Sequence, residues 1–175
     1  QCASEPQGCM SVFHLAKERV RDVKVFSVLT LKPYEFYMKP EMKGHFELCS
    51  WFHAPGSRKA IKEKTGTVTY VPNMLHNAAS DRMKVRRPHM FVGTCTPPDD
   101  LGFVSLSLGI TYEKDILEAA EVVVLEVNDK LPRTFGDTQV HVSQVDYFVE
   151  YSQNPPTIPE PQPDEAAMKI GKHIA

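Results

Sequence analysis

Residues 131–150 read LPRTFGDTQVHVSQVDYFVE, and they follow the apolar run EVVVLEVN at residues 121–128. Five Val or Leu among these eight residues predict a strand covered on both faces, as in a parallel sheet. Asn128 and Asp129 then predict a turn, after which polar residues cluster before another apolar strand that ends at Glu150. Because ligands of open α/β sheets bind at the carboxyl ends of strands, this arrangement predicts a site there.

The rest of the chain alternates predicted strands with predicted helices. Alternating apolar and β-branched residues predict the strands, and apolar residues at helical spacing predict the helices. The alternation indicates an α/β protein, with a three-layer, largely parallel sheet flanked by helices. Further strands are predicted at residues 23–29, 46–52, 67–71, 89–95 and 103–108, and helices at residues 7–21, 57–64, 73–83 and 113–120, with Asn73 as the cap of the third helix.

Two segments do not fit this alternation. Residues 32–45 are polar and aromatic and predict a long loop, and loops of this length are often functional. Residues 152–163 contain five prolines and predict a semi-rigid linker. After the linker, Asp164 predicts the N-cap of a new helix that runs to the last residue.

We therefore expect one α/β domain over residues 1–151, a proline-rich linker over residues 152–163, and the start of a second, truncated unit over residues 164–175. The chain opens on a loop that leads directly into a helix. The expected domain thus lacks its first strand and is incomplete at both ends.

Composition excludes some classes of partner. Twenty basic and 22 acidic residues give a net charge of −2, so no positive field favours nucleic acid or an anionic membrane. The longest apolar run is far below the roughly 18–20 residues of a membrane span. Cysteines without a CxxC pair predict reduced thiols, hence a protein of the cytoplasm or mitochondrial matrix that is not secreted. They are Cys2, Cys9, Cys49 and Cys95.

The common catalytic motifs do not occur in the sequence. The seven histidines include no HExxH pair and no tight Cys/His group, so we expect no metal. No GxGxxG or GxxxxGK[ST] follows a predicted strand, and no GxSxG is present. We therefore expect no permanently bound cofactor and no serine nucleophile.

Carboxylates are the remaining candidates, namely Glu5 before Pro6, Glu126 in the apolar strand and Glu150 at a strand end. A carboxylate among Val and Leu is desolvated, which raises its pKa, and such groups gather at functional sites. Alternatively, Glu126 accepts hydrogen bonds from Arg133 or from the backbone of residues 132–137. We favour this second, structural interpretation.

Three other side chains allow two interpretations each. Arg133 could clamp the carboxylate or phosphate of a ligand, or it could pair with Glu126 or Asp137 and hold the loop, which we favour. His141 and Ser143 could donate to a substrate oxygen, or they could cap turns. Both interpretations of this pair stay open.

The end of the Val-rich strand and the residues after it form an ordered set that resembles a known family. They resemble the acetyl-CoA hydrolase/transferase family, which includes 4-hydroxybutyrate, butyrate and acetate CoA-transferases. The set comprises Glu126-Val127-Asn128, Pro132-Arg133-Thr134, Gly136-Asp137, His141-Val142-Ser143 and Asp146. Segments elsewhere that keep the family's order are Glu5-Pro6, Lys39-Pro40-Glu41-Met42, Gly44-His45-Phe46, and Pro97-Pro98-Asp99 with Gly102, Ser105 and Gly109.

The resemblance implies the amino-terminal CoA-transferase-like α/β domain (NagB/RpiA-type), whose loops form one wall of a cleft. The residues that would face the carboxylic-acid substrate are Ser4, Glu5, Pro6, Leu31, Lys32 and Glu150. The residues that would hold the cleft loops are Glu126, Asn128, Arg133, Gly136, Asp137, His141 and Ser143.

The resemblance also implies an activity for a longer protein. That protein would be an acyl-CoA:carboxylate CoA-transferase, with an acyl-CoA thioester and a short-chain carboxylate as substrates, and it would form a homodimer. Its nucleophile would be a glutamate of the second, catalytic half that forms a glutamyl-CoA thioester, and no residue of this chain matches it. Acetyl-CoA hydrolysis, or a binding or assembly domain without chemistry, are the alternatives.

Overall fold

The computed structural model describes residues 4–157 and 162–175. Strands and helices alternate along most of the described residues, as the sequence predicts. The strands are β1 (Val23–Ser27), β2 (Phe46–Ser50), β3 (Val68–Tyr70), β4 (Met90–Cys95), β5 (Phe103–Ser105), β6 (Val122–Val127), β7 (Gln139–His141) and β8 (Tyr147–Glu150). The α-helices are α1 (Gln7–Val12), α2 (Glu35–Met38), α3 (Pro55–Lys62), α4 (Ala78–Val85), α5 (Glu113–Ala119) and α6 (Glu165–Ile174). Short 3-10 helices span Phe13–Arg19, Pro40–Met42, Leu75–Asn77 and Val142–Gln144.

Two parallel sheets make up most of the strand pairing. One has the order β1-β2-β3 and the other the order β4-β6-β8, and all four of these pairings are parallel. β5 and β7 form a separate antiparallel pair. The chain is therefore a mixed α/β protein with parallel sheets flanked by helices, and the predicted fold class is confirmed.

β6 lies between β4 and β8, and its two faces meet different environments. Val123 and Leu125 point into a buried cluster that includes Val104 of β5 and Val140 of β7. The opposite face of β6 carries Glu126, which is fully buried, and two valines that are half-buried. The predicted strand thus exists, and one of its faces is more completely covered than the other.

A second cluster lies beside β2, where a long loop was predicted over residues 32–45. That prediction was wrong in part, because the segment contains α2 and the Pro40–Met42 helix. Its aromatic residues Tyr34, Phe36 and Tyr37 are buried against one another and against Phe46. One-turn helices between prolines carry no helical periodicity, so the sequence pattern resembles a loop.

Two predicted helix starts have opposite outcomes. Asp164 caps α6 as predicted, since its Oδ1 accepts from the Ala167 N–H at 2.7 Å. Asn73 does not cap α4, which begins only at Ala78 after a 3-10 turn. The Asn73 side chain accepts from the N–H of Met74 instead, so it shapes the preceding turn.

The predicted linker is described only in part, because residues 158–161 lie outside the described residues. No residue of α6 is buried against another part of the described chain. Among the described residues, no helix combines the length and the apolar character that crossing a bilayer requires. The predicted domain boundaries remain predictions.

A glycine at the start of α1 is required by close packing. A Cβ on Gly8 would lie 2.6 Å from Cγ of Tyr151 and 3.0 Å from Oε2 of Glu126. We expect Gly8→Ala to lower the unfolding free energy by about 1–3 kcal/mol, because these neighbours must move apart. Urea unfolding measures the loss.

The matched control for this substitution is Gly171→Ala in α6. A Cβ on Gly171 meets no heavy atom within 4 Å, so we expect no loss of stability there. If Gly8→Ala were as harmless as the control, the start of α1 would not be tightly packed against β6.

Candidate functional site at the carboxyl edge of the sheets

Residues 4–9, called the opening segment below, connect the carboxyl ends of the two parallel sheets. Oγ of Ser4 lies 2.7 Å from Oγ1 of Thr94, near the end of β4. One carboxylate oxygen of Glu5 accepts from the Leu31 N–H at 2.6 Å, and the other accepts from the Tyr34 O–H at 2.9 Å. The opening segment therefore joins β4 to the loop after β1, at the edge where α/β proteins bind ligands.

Glu126 holds the other end of the opening segment. Its side chain is 0% exposed, and Oε2 accepts from the Cys9 N–H at 2.8 Å. Our prediction that Glu126 bonds Arg133 or residues 132–137 was wrong. Alternation along β6 places Glu126 on the face opposite Leu125, whereas the β5–β7 pair packs on the Leu125 face.

Burial changes the acidity of both interior glutamates. Desolvation raises the pKa of Glu5, and hydrogen bonds from Leu31 and Tyr34 offset part of the rise. Desolvation likewise raises the pKa of Glu126, and the Cys9 N–H offsets part of it. Both carboxyl groups therefore bind protons more tightly in the folded chain than in the unfolded chain.

These shifts predict how stability depends on pH. For a carboxyl group with a raised folded-state pKa, the folded state binds more protons than the unfolded state above about pH 4.5, so stability falls as pH rises. We expect wild type to lose stability relative to Glu126→Gln as the pH increases from 5 to 8. Urea unfolding of both proteins at several pH values measures this. A difference that stays constant or changes in the opposite direction would contradict the assigned shift.

Arg133 has the structural role that we favoured, but with a different partner. Its Nη2 donates to Oδ2 of Asp99 at 2.6 Å and to the carbonyl of Phe103 at 2.8 Å. The predicted pairing with Glu126 or Asp137 was wrong, since Asp137 forms an ion pair with Lys114. Arg133 thus ties its own loop to the turn between β4 and β5.

Three more of the predicted loop residues make local contacts. Nδ1 of His141 lies 2.8 Å from Oγ of Ser143 and accepts from the Ser143 N–H, so His141 caps a 3-10 helix together with Gln144. Asn128 donates to the carbonyl of Gln153 at 2.8 Å, which attaches the chain after β8 to the end of β6. Gly136 has a φ of +87°, a left-handed conformation that favours glycine.

A groove of about 440 Å³ opens at the carboxyl edge beside β8. It is lined by Pro97, Pro98, Val127, Asp129, Phe148, Glu150 and Ser152. Among the predicted substrate-facing residues, Glu150, Leu31 and Lys32 reach the surface, whereas residues 4–6 are buried in the described structure. Direct contact of any of them with substrate remains a prediction.

The cysteines and histidines form no evident reactive centre in the described part of the chain. No group of three or more His, Cys, Asp or Glu could hold a metal within residues 4–157 and 162–175. Cys9, Cys49 and Cys95 are free and buried, and Cys2 lies outside the described residues. Burial raises the pKa of Cys95 to about 12, which keeps its thiol protonated at neutral pH.

Comparison with known proteins identifies the family of this chain. A family model described as the acetyl-CoA hydrolase/transferase N-terminal domain matches residues 12–159. The chain belongs to the acetyl-CoA hydrolase/transferase family. The match includes β1 to β8 and both parallel sheets, so the predicted resemblance is confirmed.

Relatives of the family include named CoA-transferases. The chain is 33% identical over 167 residues to a succinyl-CoA:acetate/propanoyl-CoA:succinate CoA transferase of Fasciola hepatica, covering 93% of this chain and 33% of that protein. It is 31% identical over 140 residues to 4-hydroxybutyrate coenzyme A transferase of Clostridium kluyveri, covering 79% and 32%. The crystal structure of RipA from Yersinia pestis matches with a TM-score of 0.83 and 26% identity, covering 93% and 40%. The chain thus spans about a third of the length of these curated relatives.

Proposed function

We propose that the chain is the amino-terminal half of an acyl-CoA:carboxylate CoA-transferase and forms one wall of its active-site cleft. The observation that supports this most is the family match over residues 12–159, which covers every strand of both parallel sheets. The names of the relatives supply the substrate class, an acyl-CoA thioester and a short-chain carboxylate. The thioester is a substrate here and no permanently bound cofactor is included.

The proposed reaction uses a glutamate as nucleophile. Its carboxylate attacks the thioester carbonyl, the C–S bond breaks, and CoA leaves as a thiolate while a mixed anhydride forms. The thiolate then attacks the glutamyl carbonyl of the anhydride, which releases the first carboxylate and leaves a glutamyl-CoA thioester. A second carboxylate reverses these steps and departs as the new acyl-CoA.

We place this nucleophile outside residues 1–175, because no glutamate of this chain matches the one that the family resemblance implies. Glu5 uses both of its oxygens in hydrogen bonds, and Glu126 is fully buried beneath the opening segment, so neither can approach a thioester. The role of the chain is to shape the cleft wall. If water instead of a carboxylate attacked the glutamyl-CoA thioester, the same protein would be an acetyl-CoA hydrolase, the other activity in the family description.

The test compares the full-length protein with residues 1–175 alone. We expect the full-length protein to move CoA from acetyl-CoA to succinate, propionate or butyrate, as followed by chromatography of the CoA esters, and the 175-residue chain to show no turnover. Hydrolysis without transfer would favour the hydrolase. Neither activity would favour a binding or assembly domain and would contradict the proposal.

The proposal extends to assembly and location. We propose a homodimer for the full-length protein, in the cytoplasm or mitochondrial matrix. Light scattering of the purified full-length protein tests the first point, and a monomer would contradict it. Fractionation of cells that express it tests the second point, and secretion would contradict that part.

A further inference from the structure

We infer that Glu126 is a positioning residue for the proposed transfer reaction, because it fixes the opening segment at the carboxyl edge of the sheets. The inference rests on the proposed function and assigns Glu126 a role beyond packing. It does not make Glu126 a catalytic residue, since its side chain is covered by the opening segment.

The first argument comes from strand register. Thr94 of β4 is paired with Glu126 of β6, so the two side chains are neighbours on one face of the sheet. Thr94 contacts Ser4 at the start of the opening segment, and Glu126 contacts Cys9 near its end. One row of the sheet therefore anchors both ends of a short segment, which fixes the position of the residues between them.

The second argument comes from the hydrogen-bond donors of α1. The first N–H groups of a helix have no partner within the helix. Oε2 of Glu126 accepts one of them, from Cys9, and Gly8 lets the helix approach because a Cβ there would lie 3.0 Å from the same oxygen. The carboxylate thus fixes both the distance of the opening segment from the sheet and its orientation.

The third argument is that Glu126 is a poor choice for stability alone. Its second oxygen, Oε1, is buried and has no hydrogen-bond partner among the described residues. A buried carboxylate with an unused oxygen destabilises the fold relative to an apolar residue of similar volume. A contribution to stability alone therefore does not account for a glutamate at this position.

Glu5 connects the anchored opening segment to the loop after β1, which we propose faces the substrate. It lies between the two anchors, and its carboxylate accepts from the Leu31 N–H in the loop after β1. If the anchor at Glu126 weakens, the opening segment and that loop populate displaced arrangements. A ligand that needs the anchored arrangement then binds more weakly, by the fraction of molecules that remain competent.

The test uses Glu126→Gln in the full-length protein. An amide keeps the shape of the side chain and one acceptor but removes the charge. We expect the KM for the carboxylate to rise about tenfold, which corresponds to about one tenth of the molecules in the anchored arrangement. Saturating carboxylate restores the anchored arrangement, so we expect kcat to change less than about twofold. A merely structural role would lower kcat through loss of folded protein and leave KM unchanged.

Two further variants complete the kinetic test. Thr94→Val removes the contact to Ser4 at the other end of the segment and should also raise the carboxylate KM. Glu113→Gln is the matched control, since Glu113 is also a buried glutamate, and it accepts from the N–H groups of Thr111 and Tyr112 at the start of α5. We expect it to leave the carboxylate KM unchanged.

Thiol labelling provides a measurement that needs no activity. In Glu126→Gln, and in Thr94→Val, which keeps the charge of Glu126, we expect a thiol reagent to label Cys9 at least about tenfold faster than in wild type, while labelling of Cys49, which is buried in β2, stays slow. An unchanged carboxylate KM, or parallel acceleration at Cys9 and Cys49, would overturn the inference. If the wild-type protein transfers no CoA, the proposed function fails, and the ratio of the two labelling rates still decides whether Glu126 fixes the segment.

Discussion

Leu125→Ala is expected to lower the unfolding free energy by about 2–5 kcal/mol, as measured by urea unfolding of the chain. Leu125 is fully buried in the central strand β6, where it packs with Val104, Val140 and Leu117 in one cluster. Truncation removes apolar contacts and leaves a cavity that the surrounding strands cannot fill without losing their register.

The control for this prediction is Leu101→Ala. Leu101 is 77% exposed in the turn between β4 and β5, so the same chemical change should alter stability by less than about 0.5 kcal/mol. If both substitutions lowered the unfolding free energy by the same amount, β6 would not be the centre of a packed core, and the confirmed strand order would not explain stability.

Glu5→Ala is expected to lower stability by about 2–4 kcal/mol, because it leaves the Leu31 N–H and the Tyr34 O–H without their acceptor. Tyr34 lies in the cluster beside β2, so the loss extends from the opening segment into that core. Calorimetry or urea unfolding measures the effect. Glu18→Ala is the control, since the Glu18 side chain is 83% exposed.

A double-mutant cycle separates the Glu5–Tyr34 hydrogen bond from other effects of the substitution. Tyr34→Phe removes only the hydroxyl group. Because the two groups share one hydrogen bond of 2.9 Å, we expect a coupling energy of about 0.5–3 kcal/mol. Additive losses would mean that the two residues stabilise the chain independently and that Glu5 does not join the opening segment to this core.

The framework of the fold follows from local patterns in the sequence. Five apolar residues in residues 121–128 predict β6, and the residues around Asp146 predict the start of β8. Both patterns act over a few residues, since alternation and turn chemistry are properties of neighbours in the chain. The alternation of strands with helices then limits the connections to those of a mainly parallel sheet.

The contacts of the site do not follow from such patterns. Ser4 meets Thr94 across 90 residues and Glu126 meets Cys9 across 117, and neither pair has a local signal. We assigned Glu126 to Arg133 because the two are close in sequence. Alternation along β6 already places Glu126 opposite Leu125, and this period of two was the signal that could have excluded the pairing.

The one-turn helix α2 shows a second reason for a wrong prediction. Glu35–Met38 forms a single helical turn, whose stability comes from burial of Phe36 and Tyr37 and not from helix propensity. These two adjacent aromatic residues lie between the charged residues Glu35 and Lys39, so the sequence pattern resembles a polar loop. Tertiary packing determines the structure of this segment.

The measurement that tests the central claim most directly is the location of the CoA adduct. The full-length protein is incubated with an acyl-CoA in the absence of an acceptor acid, digested, and searched by mass spectrometry for a CoA thioester of glutamate. We predict an adduct on a glutamate outside residues 1–175. An adduct on Glu5, Glu126, Glu150 or any other glutamate of this chain would contradict the account.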